Sequence, residues 1–299
     1  MKIVCILGGT GFVGHSVVRQ LSEAGYTVKV LTRNGQKGKH LTQHRGVQVI
    51  ECNVLNHNAL KQALKSTSAV INLIGILHEN KKTTFDDIHA DLPRDLAKIC
   101  VECSIPRLIH MSALQASDNA PSKYLRSKAK GEGQIMQYAN KINITIFKSS
   151  VIFGACDNFI NLFTKLIKFL PIILLAKPNA KFQPIYVEDV SMALVKALDD
   201  KRTFGKAYEL AGPKIYSLQE LIQLVAKTAN KNRLIIGLND QLSYLQAWAI
   251  ELLPVKMMTR DNLLSMEVDS ISGQQSLDYF EFRPKALEAV LPTYIQQKG

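Results

Sequence analysis

The chain has 299 residues, 46% of them hydrophobic and 21% charged. That length suits one large α/β domain with a smaller appendage, and the composition excludes a disordered chain, a collagen-like repeat and a disulfide-stapled miniprotein. Lys and Arg number 37 against 25 Asp and Glu, a net of +12, and residues 1–150 alone hold 20 basic and 10 acidic residues. Such a half calls for an anionic partner, whether a nucleotide, a nucleic acid or an acidic membrane surface; the plain alternative is a solvated basic face.

Strands are expected at Lys2–Leu7, Thr27–Thr32, Val47–Glu51, Ala69–Ile74, Arg107–Met111 and Ile142–Lys148. They are short, β-branched and often apolar on successive residues, as strands covered on both faces are. Helical patterns fall between them at Phe12–Ala24, Asn56–Lys65, Asp91–Glu102 and Lys123–Ala139. This βαβ alternation predicts an α/β fold built on a doubly wound parallel sheet. After Phe153 the rhythm changes: a helix is expected at Asn158–Phe169 before Pro171, a strand at Phe182–Val187, a helix at Glu188–Leu198 and a strand at Ala207–Ala211. Ser217 and Glu220 have the spacing of a capping box for the next helix. Residues 1–155 therefore form the core, rejoined by 178–212. The stretches 156–177 and 213–299 form a smaller, interwoven C-terminal region.

The five cysteines, Cys5, Cys52, Cys100, Cys103 and Cys156, make no even framework. Cys100 and Cys103 form a CxxC near a helix end with no second pair at ligand spacing, so no metal site is expected. A reducing compartment follows. The N-terminus enters a strand directly, so no secretory or transit peptide is expected.

The strongest motif is Gly8-Gly9-Thr10-Gly11-Phe12-Val13-Gly14, directly after the first strand and opening the first helix. Such a turn needs backbone free of Cβ, and the helix N-terminus then offers amide donors to a pyrophosphate. This is a Rossmann dinucleotide loop, so a dinucleotide is the expected ligand. The second strand ends at Thr32-Arg33, 19 residues beyond Gly14. An acidic residue there would suit the ribose of NAD; Arg33, helped by Lys37 and Lys39, suits a 2′-phosphate instead. NADP(H) is favoured, with NAD(H) the alternative. Asn53 and Val54 after the third strand, and Leu73, Ile74 and Gly75 after the fourth, fall where the sheet's carboxyl edge would meet adenine and ribose.

These residues resemble the short-chain dehydrogenase/reductase superfamily, in its atypical and extended branches. The likeness runs from the glycine loop through His110-Met111-Ser112-Ala113 to Tyr124-Leu125-Arg126-Ser127-Lys128, a YxxxK pair with Ser112 placed 12 residues before the tyrosine. Several strings are similar to the branch containing the nucleotide-binding accessory subunit of mitochondrial respiratory complex I and its bacterial relatives. They are Ser112-Ala113-Leu114, Tyr124 to Glu132, Ser150-Val151-Ile152-Phe153-Gly154, Phe182 to Val190 and Thr259-Arg260-Asp261-Asn262.

The resemblance implies that Tyr124 exchanges a proton with a substrate oxygen, that Ser112 bonds that oxygen, and that Lys128 lowers the tyrosine pKa and holds the nicotinamide ribose. It also places Ser150 and Val151 among the cofactor contacts. An unperturbed phenol near pKa ~10 is a poor base at neutral pH, so that help is needed. The chain departs from the family pattern at Leu7, where Thr is common, at Asn53, where an acid often contacts adenine, and at Lys148, where this branch has arginine. Three functions stay open. One is an NADPH-linked oxidoreductase acting on a carbonyl, alcohol or quinone-like substrate, or an epimerase/dehydratase-like enzyme. Another is a nucleotide-loaded assembly subunit beside respiratory complex I or quinone biosynthesis. The last is a redox-sensing regulator.

Two stretches raise the question of a membrane. Phe159–Lys177 is apolar with Lys165, Lys168 and Lys177, and its uncharged run is far too short to span a bilayer. Leu242–Met258 places Leu245, Trp248, Ala249 and Leu252 at helical spacing, with Lys256 beyond. Core or substrate-pocket lining is favoured for each, with an interfacial surface the alternative. With no helix-turn-helix, zinc-finger or RNP pattern, nucleic acid is not the expected partner. The expected location is cytoplasmic, or peripheral on the inner face of the inner membrane.

Overall fold

The computed structural model describes residues 2–252, 258–274 and 278–295. Lys256 lies outside them. The chain divides into two compact units. Unit 1 is 1–118, 127–148 and 190–208; unit 2 is 119–126, 149–189 and 209–299. The division expected from sequence lay at 155, with 178–212 returning to the core.

Seven strands form the central sheet: β1 (Ile3–Leu7), β2 (Thr27–Thr32), β3 (Val47–Glu51), β4 (Ala69–Asn72), β5 (Arg107–Ala113), β6 (Asn143–Ser149) and, after β7 (Ile172–Leu175) of unit 2, β8 (Lys206–Leu210). Their order is β8-β6-β5-β4-β1-β2-β3, with β1 parallel to both β2 and β4. The doubly wound Rossmann sheet read from the sequence is the fold. Helices α1 (Phe12–Glu23), α2 (His57–Ala63), α3 (Leu92–Glu102) and α4 (Lys123–Met136) fall between the strands. Leu7, Leu31 and Val70 of the sheet pack with Leu60, Leu96 and Ile99 of α2 and α3. Double-faced burial is why these strands lack alternation.

Strand order reverses between β1 and β4, all strands there staying parallel; this is the switch point where open α/β sheets bind ligands beyond their carboxyl ends. Arg107 stabilises the far edge. Its buried guanidinium donates to Leu198 O, Asn143 O, Ala197 O and the Thr145 and Thr203 hydroxyls. Burial lowers its pKa to about 10.

Unit 2 has its own core, in which Ile160 and Ile167 of α5 (Phe159–Phe169) meet Ile173 and Leu175 of β7 and Leu221, Ile222 and Val225 of α7 (Leu218–Thr228). Between α5 and α7 in sequence, α6 (Val187–Ala197) runs on into unit 1. Ser217 and Glu220 form the expected capping box at the start of α7. β7 pairs in parallel with β9 (Leu234–Gly237). Helices α8 (Asp240–Glu251) and α9 (Arg260–Ser265) follow.

Two expectations need correction. The single strand at Phe182–Val187 is two short pairings: Phe182 opposite Tyr216, antiparallel, and Ile185 opposite Ile152, parallel. Pro184 between them has no N–H to donate to a ladder. β4 stops at Asn72 instead of Ile74 because the Asn72 amide oxygen accepts from Ile74 N (3.2 Å) and turns the chain out of the sheet.

Candidate functional site

The glycine loop begins at the end of β1. Gly8 has φ +83°, in the left-handed region that favours glycine. A side chain there would press on the backbone of Leu73 and Ile74, at 3.1 and 3.2 Å. A Cβ on Gly14 would collide with Gly8 O and the Gly9 backbone. The loop is therefore folded tightly on itself and against the segment leaving β4, at the switch point. The N-cap of α1 is Gly11, with no side-chain cap and no acidic residue in the first turn. A twelve-residue helix thus presents its positive end with no carboxylate to compete. These features fit a dinucleotide pyrophosphate, with Thr10, Gly11, Phe12 and Val13 around it.

The Leu73–Gly75 segment is held from both sides by buried polar side chains. Asn72, fully buried, also shares a bond with His110 Nδ1 (3.1 Å) on β5. His89 Nε2 accepts from Ile76 N (3.0 Å), and its Nδ1 bonds Ser127 Oγ (2.9 Å). Burial, then the Lys128 charge and His110, drive the His89 pKa far down; burial and Lys128 lower His110 to about 3. Both rings are therefore neutral at pH 7, and His110 Nε2 has no hydrogen-bond partner. His110 stands in the string quoted at the end of β5, whereas His89, in Phe85-Asp86-Asp87-Ile88-His89-Ala90-Asp91, belongs to no motif.

Lys128 is 4% exposed, and its ammonium makes one long bond to Met111 O (3.3 Å). A Cβ on Gly75 would lie 3.3 Å from Lys128 Nζ. Unit 1 thus brings the loop after β1, the loop after β4 and Lys128 together. Burial lowers Lys128 to about 8, the Glu132 carboxylate opposing that shift. A buried ammonium with unfilled donors fits a ribose diol.

Ser112, at the end of β5, donates its hydroxyl to Glu132 Oε1, and Lys148 lies 3.2 Å from the other carboxylate oxygen. Burial raises Glu132, while the Ser112 bond and Lys148 oppose it. Glu132 lay within the quoted string but carried no role. Lys148, a departure from this branch's arginine, is its counter-ion.

Tyr124 stands one helical turn before Lys128 on α4, so the two share a helix face. Burial pushes the Tyr124 phenol up to about 12, opposite in direction to the lowering that the family role calls for. Desolvation of the phenolate is the dominant influence. The helix start is fixed within unit 2, where the Asp261 carboxylate accepts from Lys123 N (2.7 Å) and Tyr124 N (3.1 Å). That gives the Thr259-Arg260-Asp261-Asn262 string a physical purpose, a carboxylate at a helix N-terminus.

At the end of β2, Thr32 is buried and Arg33 exposed. Asn34 caps the short helix Gly35–Gly38 by accepting from Gln36 N and Lys37 N, leaving Lys37 exposed. Glu51, ending β3 opposite Thr32, accepts from Gly35 N (3.0 Å). An acid that the motif reading did not weigh thus adjoins the Arg33 turn. Asn53 is exposed and its amide oxygen accepts from Leu55 N (3.2 Å), while Val54 is buried. Ser150 and Val151 belong to unit 2, where Ser150 Oγ donates to Ser270 O (2.8 Å) and Val151 O accepts from Ile185 N. All five cysteines are free thiols, and the described residues hold no cluster of three metal-ligating side chains.

The model of the NmrA-like family matches residues 1–242. The chain belongs to the NmrA-like family. The resemblance to atypical short-chain dehydrogenases is upheld, as is the narrower likeness to complex I subunits. Over 232 residues the chain is 32% identical to NADH dehydrogenase [ubiquinone] 1 alpha subcomplex subunit 9, mitochondrial, of Arabidopsis thaliana, covering 75% of this chain and 57% of that protein. The Mus musculus protein of that name is 32% identical over 236 residues, 75% of this chain and 60% of the relative. The chain thus spans less than two thirds of the length of these relatives.

Among solved structures, dTDP-glucose 4,6-dehydratase from Bacillus anthracis, in complex with NAD, superposes with TM-score 0.77 at 15% identity, over 99% of this chain and 96% of that one. UDP-glucose 4-epimerase from Thermotoga maritima, with UDP-glucose, gives TM-score 0.77 at 15% identity over 99% of both chains. These likenesses show the fold. Among the described residues no helix is long and apolar enough to cross a membrane.

Proposed function

We propose that this family member holds NADP(H) in the unit 1 cradle and acts as a nucleotide-loaded accessory subunit of a respiratory NADH:quinone-type complex, on the cytoplasmic face of an inner membrane. The observation that carries the non-catalytic part is Ser112 donating to Glu132 while burial holds the Tyr124 phenol near 12. Neither group is poised to move a proton at neutral pH. The glycine loop at the switch point, the uncapped N-terminus of α1 and the Lys128 ammonium support nucleotide retention. Arg33 and Lys37 support the 2′-phosphate form. A bound nicotinamide would supply hydride chemistry; the residues around it here bind and orient. The two curated relatives named above support the respiratory assignment.

A second reading, an NADPH-linked oxidoreductase of a carbonyl or quinone-like substrate, is supported by the presence of Ser112, Tyr124 and Lys128 together. A tagged chain purified from native membranes separates the two. The accessory reading expects co-isolation with an NADH-oxidising complex. Recovery only as a free protein that oxidises NADPH, with that activity lost in Tyr124→Phe, would favour the enzyme.

A further inference from the structure

Unit 2 carries an apolar surface that no part of the proposed function uses. β7 and β9 alternate about a two-stranded ribbon: Ile173 and Leu175 enter the core, while Ile172 and Leu174 face outward at 49% and 52% exposure. On β9, Leu234 and Ile236, paired with Ile172 and Leu174, face out at 57% and 41%. Gln246 of α8 donates to Leu174 O (2.9 Å), tying that helix to the ribbon. The helix is amphipathic the wrong way round for a water-facing element. Small Ser243 and Ala247 are fully buried, while Leu242, Leu245, Trp248 and Leu252 are exposed at a spacing that follows one helix face. Apolar residues gathered like this mark an interaction site, whereas scattered ones would not.

A basic pocket adjoins this face. It has a volume of about 500 Å³ and is lined by Lys227, Lys231 and Arg233 together with Gln223, Asn230 and Asn232, with no acidic residue in its lining. Arg233 donates from Nε to Ile167 O (2.7 Å) and immediately precedes Leu234, so the pocket abuts the start of β9, with Arg233 and Ile235 on its side of the strand and exposed Leu234 and Ile236 on the other. Lys165 and Lys168 on α5 are exposed as well. The acids of α8 are paired: Asp240 with Lys177 (3.0 Å) and Glu251 with Arg260 (2.8 Å).

We infer that this face docks on an anionic phospholipid surface, with headgroup phosphates in the Lys227–Lys231–Arg233 pocket and the β7–β9 ribbon and α8 seated in the interfacial layer. Apolar residues rimmed by cations are the composition of an interfacial element, and a negative leaflet attracts such cations within a Debye length. A second copy of the chain is a poorer occupant, since a face-to-face pair would bring two lysine clusters together.

Trp248 is the only tryptophan of the chain and is 47% exposed, so it reports directly. The full chain is mixed with vesicles of phosphatidylcholine alone, or of phosphatidylcholine with phosphatidylglycerol. The expected results are co-sedimentation and a blue shift of Trp248 emission with the anionic vesicles only. Lys227→Ala with Lys231→Ala should weaken binding about thirty-fold, at roughly five-fold per cation. Leu234→Ser with Ile236→Ser should abolish the blue shift, with the melting temperature unchanged as the control for folding. Inorganic phosphate at millimolar concentration should not displace the protein from the vesicles. Absence of binding to anionic vesicles, or binding that phosphate fully competes away without any Trp248 shift, overturns the inference and assigns the pocket to a free phosphate or the face to a protein partner.

Discussion

The two units manage the same kind of apolar material in opposite ways. In unit 1 the strands are covered on both faces, and among the described residues only Leu55 and Leu77 are large hydrophobics well exposed to solvent. Unit 2 has a core of similar composition but also presents Phe169, Ile172, Leu174, Leu234, Leu245 and Leu252 outward. Unit 1 concentrates its specialised features at the switch point: glycines that admit close backbone approach, a buried lysine and two neutral histidines. Unit 2 concentrates its own on a surface. The fold shared with the dehydratase and the epimerase does not by itself assign a function, because function resides in sites and not in the fold.

The comparison breaks most sharply at Gly14. Gly14→Val drives a side chain into Gly8 and Gly9, and should cost on the order of 3 kcal/mol and remove nucleotide binding. Thermal denaturation and nucleotide titration check it; retained nucleotide would mean that the cradle lies elsewhere.

Lys128 gives a prediction of opposite signs. Its folded pKa of about 8 lies below the ordinary lysine value of 10.5, so the unfolded chain binds more protons between those values. Stability of the nucleotide-free protein should therefore rise from pH 8 to pH 10.5, by up to about 3 kcal/mol. Lys128→Met should remove that rise and stabilise the nucleotide-free form at pH 7, while weakening nucleotide binding about ten-fold. Denaturant titrations across pH, in parallel with binding, measure both effects. In the wild type, affinity should fall as pH rises past about 8, because the ammonium is the form that holds the ribose.

Arg33→Glu sharpens the cofactor assignment: NADPH affinity should fall roughly thirty-fold and NADH affinity by about threefold or less. Equal losses would reassign Arg33 to the solvated surface and give weight to Glu51 as the ribose partner. The smallest effect belongs to Tyr124→Phe, which should change nucleotide retention by about threefold or less.

Unit 1 was the more legible region because its physics is local and periodic. Strands buried on both faces and the glycine turn each carry a pattern within a few residues. Asn72, His89 and Glu132 were harder to find, since their roles arise only when distant strands and helices meet. In unit 2, the outward residues of β7, Ile172 and Leu174, are as apolar as its inward ones, which hides the strand period within the stretch Phe159–Lys177. In that stretch Ile167, Ile173 and Leu175 are core, as favoured from the sequence, and Phe169, Ile172 and Leu174 are exposed. The chemistry of Tyr124 was legible by motif but not by energy, since desolvation depends on packing that a motif does not encode.

Retention of a nucleotide without turnover separates an accessory subunit from an enzyme. Its most direct test is to release and identify the nucleotide from protein purified under native conditions, then to challenge the loaded protein with quinone and carbonyl acceptors. The expected result is NADP(H) bound near one per chain and unchanged by any acceptor. A preparation that binds no nucleotide, or one that reoxidises NADPH in a Tyr124-dependent manner, would contradict it.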